Sequence, residues 1–369
     1  MQLEPIEVSL VSPELADRVA IPAYDNFTAR ESAALADDEP LSFLHAVGLG
    51  PDPIGAAVAG LDRVRLAFDE PRPRAFCYRL QQGESLQTGL VCGIPFDQLD
   101  LVRPHEATSP SRVEALVTYT EKVGVVSSPV AVAYRHTEAM EALMAVTTAG
   151  LPSHDFVSLD GLRQTVWEVS ADDVRTAGGS IEAVYITDGH HRVASLKAYA
   201  ERNDVKPALL AVLFAHDDMI VAAYNRILLR MDTDEVVARL ETLGARATDL
   251  ERPPPGHTIA LFENQRWLVR LPAATIDSAA ARLDSARLDE HVIGPLMGSA
   301  VPGGNIVAVP GPVPIDAVQV AEAHGVGFLL ADPTIDQMMA VADAHENMPA
   351  KSTYFSPKPR SGLFLRYFG

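Results

Sequence analysis

Residues 180–203 read SIEAVYITDGHHRVASLKAYAERN, and the hydrophobic period changes inside them. Ile181 to Ile186 are β-prone and mostly apolar, the pattern of a buried strand. Val193, Leu196, Tyr199 and Ala200 then recur at helical spacing. Between them, ITDGHHR (186–192) packs a carboxylate, a glycine, two histidines and an arginine into one turn. A second apolar run, ALLAVLFAHDD (208–218), reads as another buried strand. Strand, turn, helix, strand is the order of an α/β unit that carries a site on its turn.

The chemistry of that turn follows from its backbone. The first N–H groups of a helix have no intrahelical partner and carry partial positive charge, so a turn entering a helix is a natural phosphate seat. Gly189 lets a ligand come close, because it has no Cβ and tolerates positive φ. Arg192 offers a planar fork of donors for two phosphate oxygens. His190 and His191 add donors that can charge near neutral pH. Asp188 repels phosphate unless a divalent cation such as Mg2+ lies between them, or unless it serves as a base toward a hydroxyl. The plain alternative is an Asp-Gly turn in which Asp188 caps the helix and Arg192 pairs with a surface acid. His-His-Arg following Asp-Gly at a period switch favours the site.

Two further polar clusters stand out. VRPHEATSP (102–110) holds Arg103 just before Pro104, and His105, Glu106 and Thr108 between Pro104 and Pro110; its plain reading is a solvated loop. MPAKSTYFSPKPRSG (348–362) gathers Lys351, Lys358 and Arg360 with no carboxylate, in a chain whose net charge is -19. Such a local positive patch focuses an anionic ligand, or pairs with acidic neighbours.

The 369 residues amount to about twice a common domain length, and 47% hydrophobic with 21% charged residues suits a globular body with a real core. An excess of 49 acidic over 30 basic residues argues against a nucleic-acid partner, since that affinity comes from Lys and Arg. The two cysteines, Cys77 and Cys92, lack metal or redox spacing and are expected as buried thiols in a reducing cytoplasm. The start, MQLEPIEVSL (1–10), is unlike a secretory signal, and no apolar run is long enough to span a bilayer. A cytoplasmic location without membrane attachment is expected.

The remaining pattern alternates strands and helices. RAFCYRL (74–80) and LQTGLVCGI (86–94) flank QQGES as a hairpin, and SPVAVAYR (128–135) is a further strand. SRVEALVTYTEKVG (111–124) is a helix closed by Gly124. Near residue 250 the composition changes at ERPPPGH, after a helix TDEVVARLETLG (233–244) and before a hairpin TIALFEN to RWLVRL. A second Pro/Gly stretch, VPGGNIVAVPGPVP (301–314), precedes a strand GFLLAD and a helix TIDQMMAVADAHE that Thr334 can cap. The expected class is α+β, with mixed sheets and a strand–turn–helix phosphate-binding unit plus a second, smaller α+β region. The expected boundary lies between 230 and 255, giving regions 1–235 and 236–369, with the 348–360 loop returning to the site.

Four stretches together resemble the bacterial and archaeal domain-of-unknown-function family one thousand and fifteen: PAYD (22–25), HEAT (105–108), DGHHR (188–192) and MPAKSTYFSPK (348–358). The DGHHR turn is similar to the phosphate-binding turn of the ParB/sulfiredoxin superfamily, which includes CTP hydrolases of chromosome partitioning, sulfiredoxins and an ADP-dependent kinase acting on free serine. The sulfiredoxin position of the reactive cysteine is His190 here, which speaks against thiol chemistry. The resemblance implies a nucleotide-dependent phosphotransferase acting on a small hydroxylated metabolite such as serine, with ATP or ADP (or CTP) and Mg2+. Gly189, His190, His191, Arg192, Thr108, Lys351, Ser352, Thr353 and Lys358 would hold phosphates or nucleotide. Asp188, Glu106 and His105 would be catalytic, with Asp188 or Glu106 as the alternative Mg2+ ligand. The other readings are a nucleotide-binding switch without small-molecule turnover, and a metal hydrolase using His105, Glu106, His190 and His191. The last is disfavoured, because adjacent histidines rarely share one ion. The expected partners are a nucleotide and a small molecule; a homodimer is compatible with the sequence. The nucleotide reading expects 105–108, 188–192 and 351–358 to meet in space.

Overall fold

A computed structural model of the chain describes residues 1–22, 29–158, 160–262, 265–297, 306–313, 315, 320 and 325–368. Three residues of the PAYD element, 23–25, therefore lie outside the described residues. The chain forms two units. The first comprises Met1–Pro104, Thr108–Met219 and Pro357–Gly369, and the second His105–Ala107 and Ile220–Ser356.

The first unit is built on strands β1 (Ile6–Leu10), β2 (Arg72–Gln82), β3 (Ser85–Ile94), β4 (Val102–Arg103), β5 (Val125–Val126), β6 (Val130–Tyr134), β7 (His154–Val157), β8 (Arg163–Val169), β9 (Val184–Asp188), β10 (Leu209–Ala215) and the C-terminal β18 (Phe364–Tyr367). Among the described residues they make one sheet in the order β4-β9-β6-β10-β3-β2-β1-β18-β5, with β8 also on β2 and β7 on β8. The expected hairpin is β2 and β3, turning at Gly83 with φ 59°. Strand β10 is apolar along its whole length because both faces are covered. Leu210, Val212 and Phe214 join one core, and Leu209, Ala211 and Leu213 the other. Gly89 faces Phe214 across the β3–β10 pair, where a Cβ would come within 2.6 Å of the ring.

The strand–turn–helix unit is present as β9, Gly189 and the helix His190–Asn203. Its strands are not a parallel crossover, however. β6 lies between β9 and β10, antiparallel to the first and parallel to the second. The β6–β9 register slips at the site: Val132 faces Ile186, but the next residue back, Ala131, faces Asp188. Thr187 is thus the extra residue of a bulge, which bends the strand end and redirects the side chain that follows. The helix Pro110–Val123 packs beside His190–Asn203 and stops at Gly124, whose φ is 76°.

The second unit contains β11 (Ile220–Leu228), β12 (Arg246–Ala247), β13 (His257–Phe262), β14 (Gln265–Arg270), β15 (Ile306–Pro310), β16 (Val326–Leu330) and β17 (Thr353–Ser356). The described strands order as β12-β14-β13-β16-β11-β15, with β17 on β11 and every pairing antiparallel. Thr334 caps the helix Ile335–Asp343 in a reciprocal arrangement with Gln337. Two expectations shift. The division falls at 219/220 rather than between 230 and 255, because residues 220–228 are a strand of the second sheet and not a tail of the first. The 301–314 stretch read as a break also contains β15, since Ile306 to Val309 pair along β11 despite their Pro/Gly flanks.

The last residues of the chain return to the first unit as β18, where Phe364 is fully buried against Phe76 and Tyr78. Phe364→Ala is expected to lower stability by about 3–5 kcal/mol, the usual cost of emptying a buried aromatic site. Urea denaturation measures this, and a loss under about 1 kcal/mol would contradict the packing described.

Candidate functional site

In the first unit the DGHHR turn begins where the bulged β9 ends. Gly189 has φ 108°, the region that favours glycine, and caps the helix without any side-chain hydrogen bond. A Cβ there would stand 2.9 Å from Arg192 Nε, so the bare Cα also makes room for the guanidinium. Arg192 Nη1 donates to the carbonyls of Ser128 and Pro129, both at 2.8 Å, and Nη2 donates to Asp188 Oδ2. Lys358 Nζ reaches the other oxygen, Asp188 Oδ1, at 3.2 Å, with only 12% of its side chain exposed. Asp188 is therefore a carboxylate between two cations, one from its own turn and one from the C-terminal segment. Burial works to raise its pKa, but Arg192 and Lys358 outweigh burial and hold it below the usual carboxylate range.

The two histidines differ. His191 Nε2 accepts the backbone N–H of Ser109 at 3.0 Å, so that nitrogen is unprotonated and the ring anchors the start of the helix Pro110–Val123. His190 is buried, and burial pushes its pKa down to about 4, beyond what the Asp188 carboxylate restores. It is neutral at pH 7, so the expectation of a cationic donor at His190 does not hold; desolvation of the imidazolium is the reason. Thr108 is half-buried, one residue before Ser109.

In the second unit, His105 and the 348–355 segment come together. The carbonyl of His105 accepts the N–H of Met348 at 2.8 Å, and its ring nitrogen Nε2 is 3.4 Å from Thr353 Oγ1. The ring is buried, 6.5 Å from that of Phe355. Arg226 fixes this segment by donating to the carbonyl of Ala350 at 3.1 Å. Ser352 is buried, donates to the carbonyl of Pro349 at 2.6 Å and lies 3.0 Å from Ser285 Oγ. Lys351 takes a positive φ of 58° and sets its ammonium over the Tyr224 ring at 5.2 Å. Glu106 is half-buried beside His105.

Thus the first unit joins 188–192 to Ser109 and Lys358, and the second joins His105 to 348–353. Of the basic C-terminal patch, Arg360 is a brace: buried, it bonds Asp160 at 2.5 Å beside Ser158 and Tyr78. The carbonyls of Ser128 and Pro129 carry no side-chain signature and could not be read from sequence. Asp188, balanced by two cations, does not suit a divalent metal ion. Among the described residues no group of three or more His, Cys, Asp or Glu side chains is placed to hold one. Cys77 and Cys92 are both buried free thiols, as expected, and burial pushes Cys77 up to about 11.

A pH dependence follows from His190. Its folded pKa of about 4 lies below the ordinary 6.5. The stability its neutral ring contributes is fully present above about pH 6.5 and is lost as pH falls toward 4, because the unfolded chain takes up the proton first. His154, also lowered by burial, shares this window. Urea midpoints followed from pH 7 to 4 are expected to fall, with a shallower slope for His190→Asn. An identical slope in that variant contradicts the buried neutral ring.

No helix among the described residues is long and apolar enough to cross a membrane. No curated protein matches the sequence. Among solved structures the chain is similar to free serine kinase in complex with AMP, at 16% identity and a TM-score of 0.38, over 74% of this chain and 91% of that one. A mutant of that kinase in complex with ADP gives 17% identity and a TM-score of 0.39, over 74% and 92%. A conserved hypothetical protein from Pyrococcus furiosus gives 16% identity and a TM-score of 0.37, over 74% and 95%. The model of one family, described as "Protein of unknown function (DUF1015)", matches residues 4–289, which include the HEAT and DGHHR elements and stop short of 348–358. The chain belongs to that family.

Proposed function

We propose that the protein is a nucleotide-dependent phosphotransferase, with the DGHHR turn as its phosphate seat and a small hydroxylated metabolite such as serine as acceptor. The observation that carries this reading is the pairing of Lys358 and Arg192 on Asp188 at a helix start that no side chain caps. Phosphoryl transfer asks the protein for charge neutralisation and alignment more than for covalent chemistry. An entering phosphate finds the N–H groups after Gly189 and the ammonium of Lys358, which exchanges Asp188 for the ligand. Arg192 keeps its hold on Ser128 and Pro129 and so fixes the turn rather than travelling with the phosphate. ATP or ADP is the donor in this reading. His105, Glu106, Thr108, Lys351, Ser352 and Thr353 are assigned to nucleotide and acceptor, with Glu106 as the carboxylate that takes the hydroxyl proton.

The depressed pKa of Asp188 favours a second reading, since a carboxylate held ionised by two cations is a weak base. In that reading the protein binds nucleotide as a switch, in the manner of the ParB/sulfiredoxin turn, without phosphorylating a metabolite.

Thermal shift with ATP, ADP and CTP, with and without Mg2+, tests both. A nucleotide at a hundred times its Kd is expected to add about 2.7 kcal/mol of apparent stability. Lys358→Ala is expected to weaken that nucleotide at least about tenfold, the scale of one charge-assisted hydrogen bond. Incubation with serine followed by phosphorus NMR separates the readings: phosphoserine is expected for the transferase, with Glu106→Gln slowing its formation while nucleotide affinity stays. Absence of any nucleotide shift overturns both readings.

A further inference from the structure

The first unit contains a cavity of about 620 Å3 along the helices Pro110–Val123 and His190–Asn203, with Arg192 in its wall. Leu116, Tyr119, Val130, Leu196 and Leu210 line it, and its size is that of a site for a small organic ligand. Its polar wall groups are largely spent on the protein itself. Tyr119 Oη donates to the carbonyl of Ala46 at 2.5 Å, Thr120 Oγ1 to that of Leu116 at 3.0 Å, and Ser195 Oγ to that of Arg192 at 3.0 Å. Ser128 and Ser361 bond each other, and Ser127 Oγ accepts the N–H of Gly362 at 3.3 Å. A nucleobase or sugar, rich in hydrogen-bonding groups, would leave many of them unmatched here, whereas a hydrocarbon body would not.

One wall group is different. Arg366, only 9% exposed, lines the cavity with its guanidinium against the carbonyl of Ala208 and 4.4 Å from the centre of the Phe368 ring. Glu114, the carboxylate of the cavity lining, is paired with Arg202, and the carboxylate that acts on Arg366, Glu4, does so through charge at longer range without an ion pair among the described residues. A buried cation without a counter-charge is costly, and an anion that brings its own apolar surface relieves both deficits at once.

We propose that this cavity binds a monocarboxylate with a long apolar body, its carboxylate on Arg366 and its chain between the two helices. The cavity borders the DGHHR turn through Arg192 and Ser128, which are held by each other, and the proposal stands whether or not the chain transfers phosphate.

The test uses dodecanoate, dodecanol and ATP as probes on the full chain by isothermal titration calorimetry. Dodecanoate is expected to bind one to one, and dodecanol, which keeps the body and loses the charge, at least about tenfold more weakly. Arg366→Gln is expected to remove that preference, so that both probes bind alike, while Arg366→Lys keeps it. Leu116→Trp, which fills the cavity from its wall, is expected to abolish binding of both, with circular dichroism confirming that the variants fold. Absence of dodecanoate binding to the wild type overturns the proposal. So does binding that is unchanged in Leu116→Trp and Arg366→Gln, or displacement of dodecanoate by ATP.

Discussion

A carboxylate delivered to the mouth of a helix by a bulged strand must be neutralised, and much of the first unit around the turn is arranged to do so. Asp188 keeps 26% of its side chain exposed, which leaves water unable to solvate it fully. Arg192, four residues on, supplies one cation, and Lys358 the second from a segment that returns after the whole second unit. Arg192 in turn needs its remaining hydrogens satisfied and finds them at Ser128 and Pro129, just before β6. One ionic cluster therefore ties together β9, the start of His190–Asn203, the approach to β6 and the C-terminal segment. Removing either cation from a partly buried cluster costs more than the pair is worth on its own, because the charge left behind is uncompensated.

The glycine and the bulge serve the same end. With Thr187 as the extra residue, Asp188 escapes the alternation that buries Ile186, and with no Cβ at Gly189 the guanidinium lies against the turn. His191 ties the turn to the neighbouring helix Pro110–Val123 by accepting a backbone N–H, and His190 is a buried neutral ring. Two adjacent histidines of one motif thus sit in opposite settings, one accepting a backbone N–H and the other buried and kept neutral by desolvation. In the second unit the same economy recurs: Ser352 and Thr353, which look like ligand-binding hydroxyls, are in part committed to Pro349, Ser285 and His105.

The proposed phosphate seat and the apolar cavity make different demands on the helix His190–Asn203. Its first turn offers polar backbone and neighbouring cations, while its Leu196 and Tyr199 face an apolar space farther along. A helix can serve both because its ends are polar and its middle is hydrogen-bonded to itself.

Much of the local architecture was legible in the chain. The period change at 186–193 located β9 and its helix, Gly83 and Gly124 marked a turn and a helix end, and Thr334 marked a helix start, to which the structure adds Gln337. These are short-range signals, set by the backbone freedom of glycine and by the reach of a capping side chain. The position of the unit boundary was not legible, because a strand that belongs to either sheet looks alike in sequence until its partners are known. The resemblance brought Lys358 and Asp188 into one argument, yet their contact, the carbonyls that fix Arg192 and the burial of Arg366 were decided by tertiary structure alone. Backbone acceptors have no residue type, and the balance of charge around a buried group depends on distances that only folding creates.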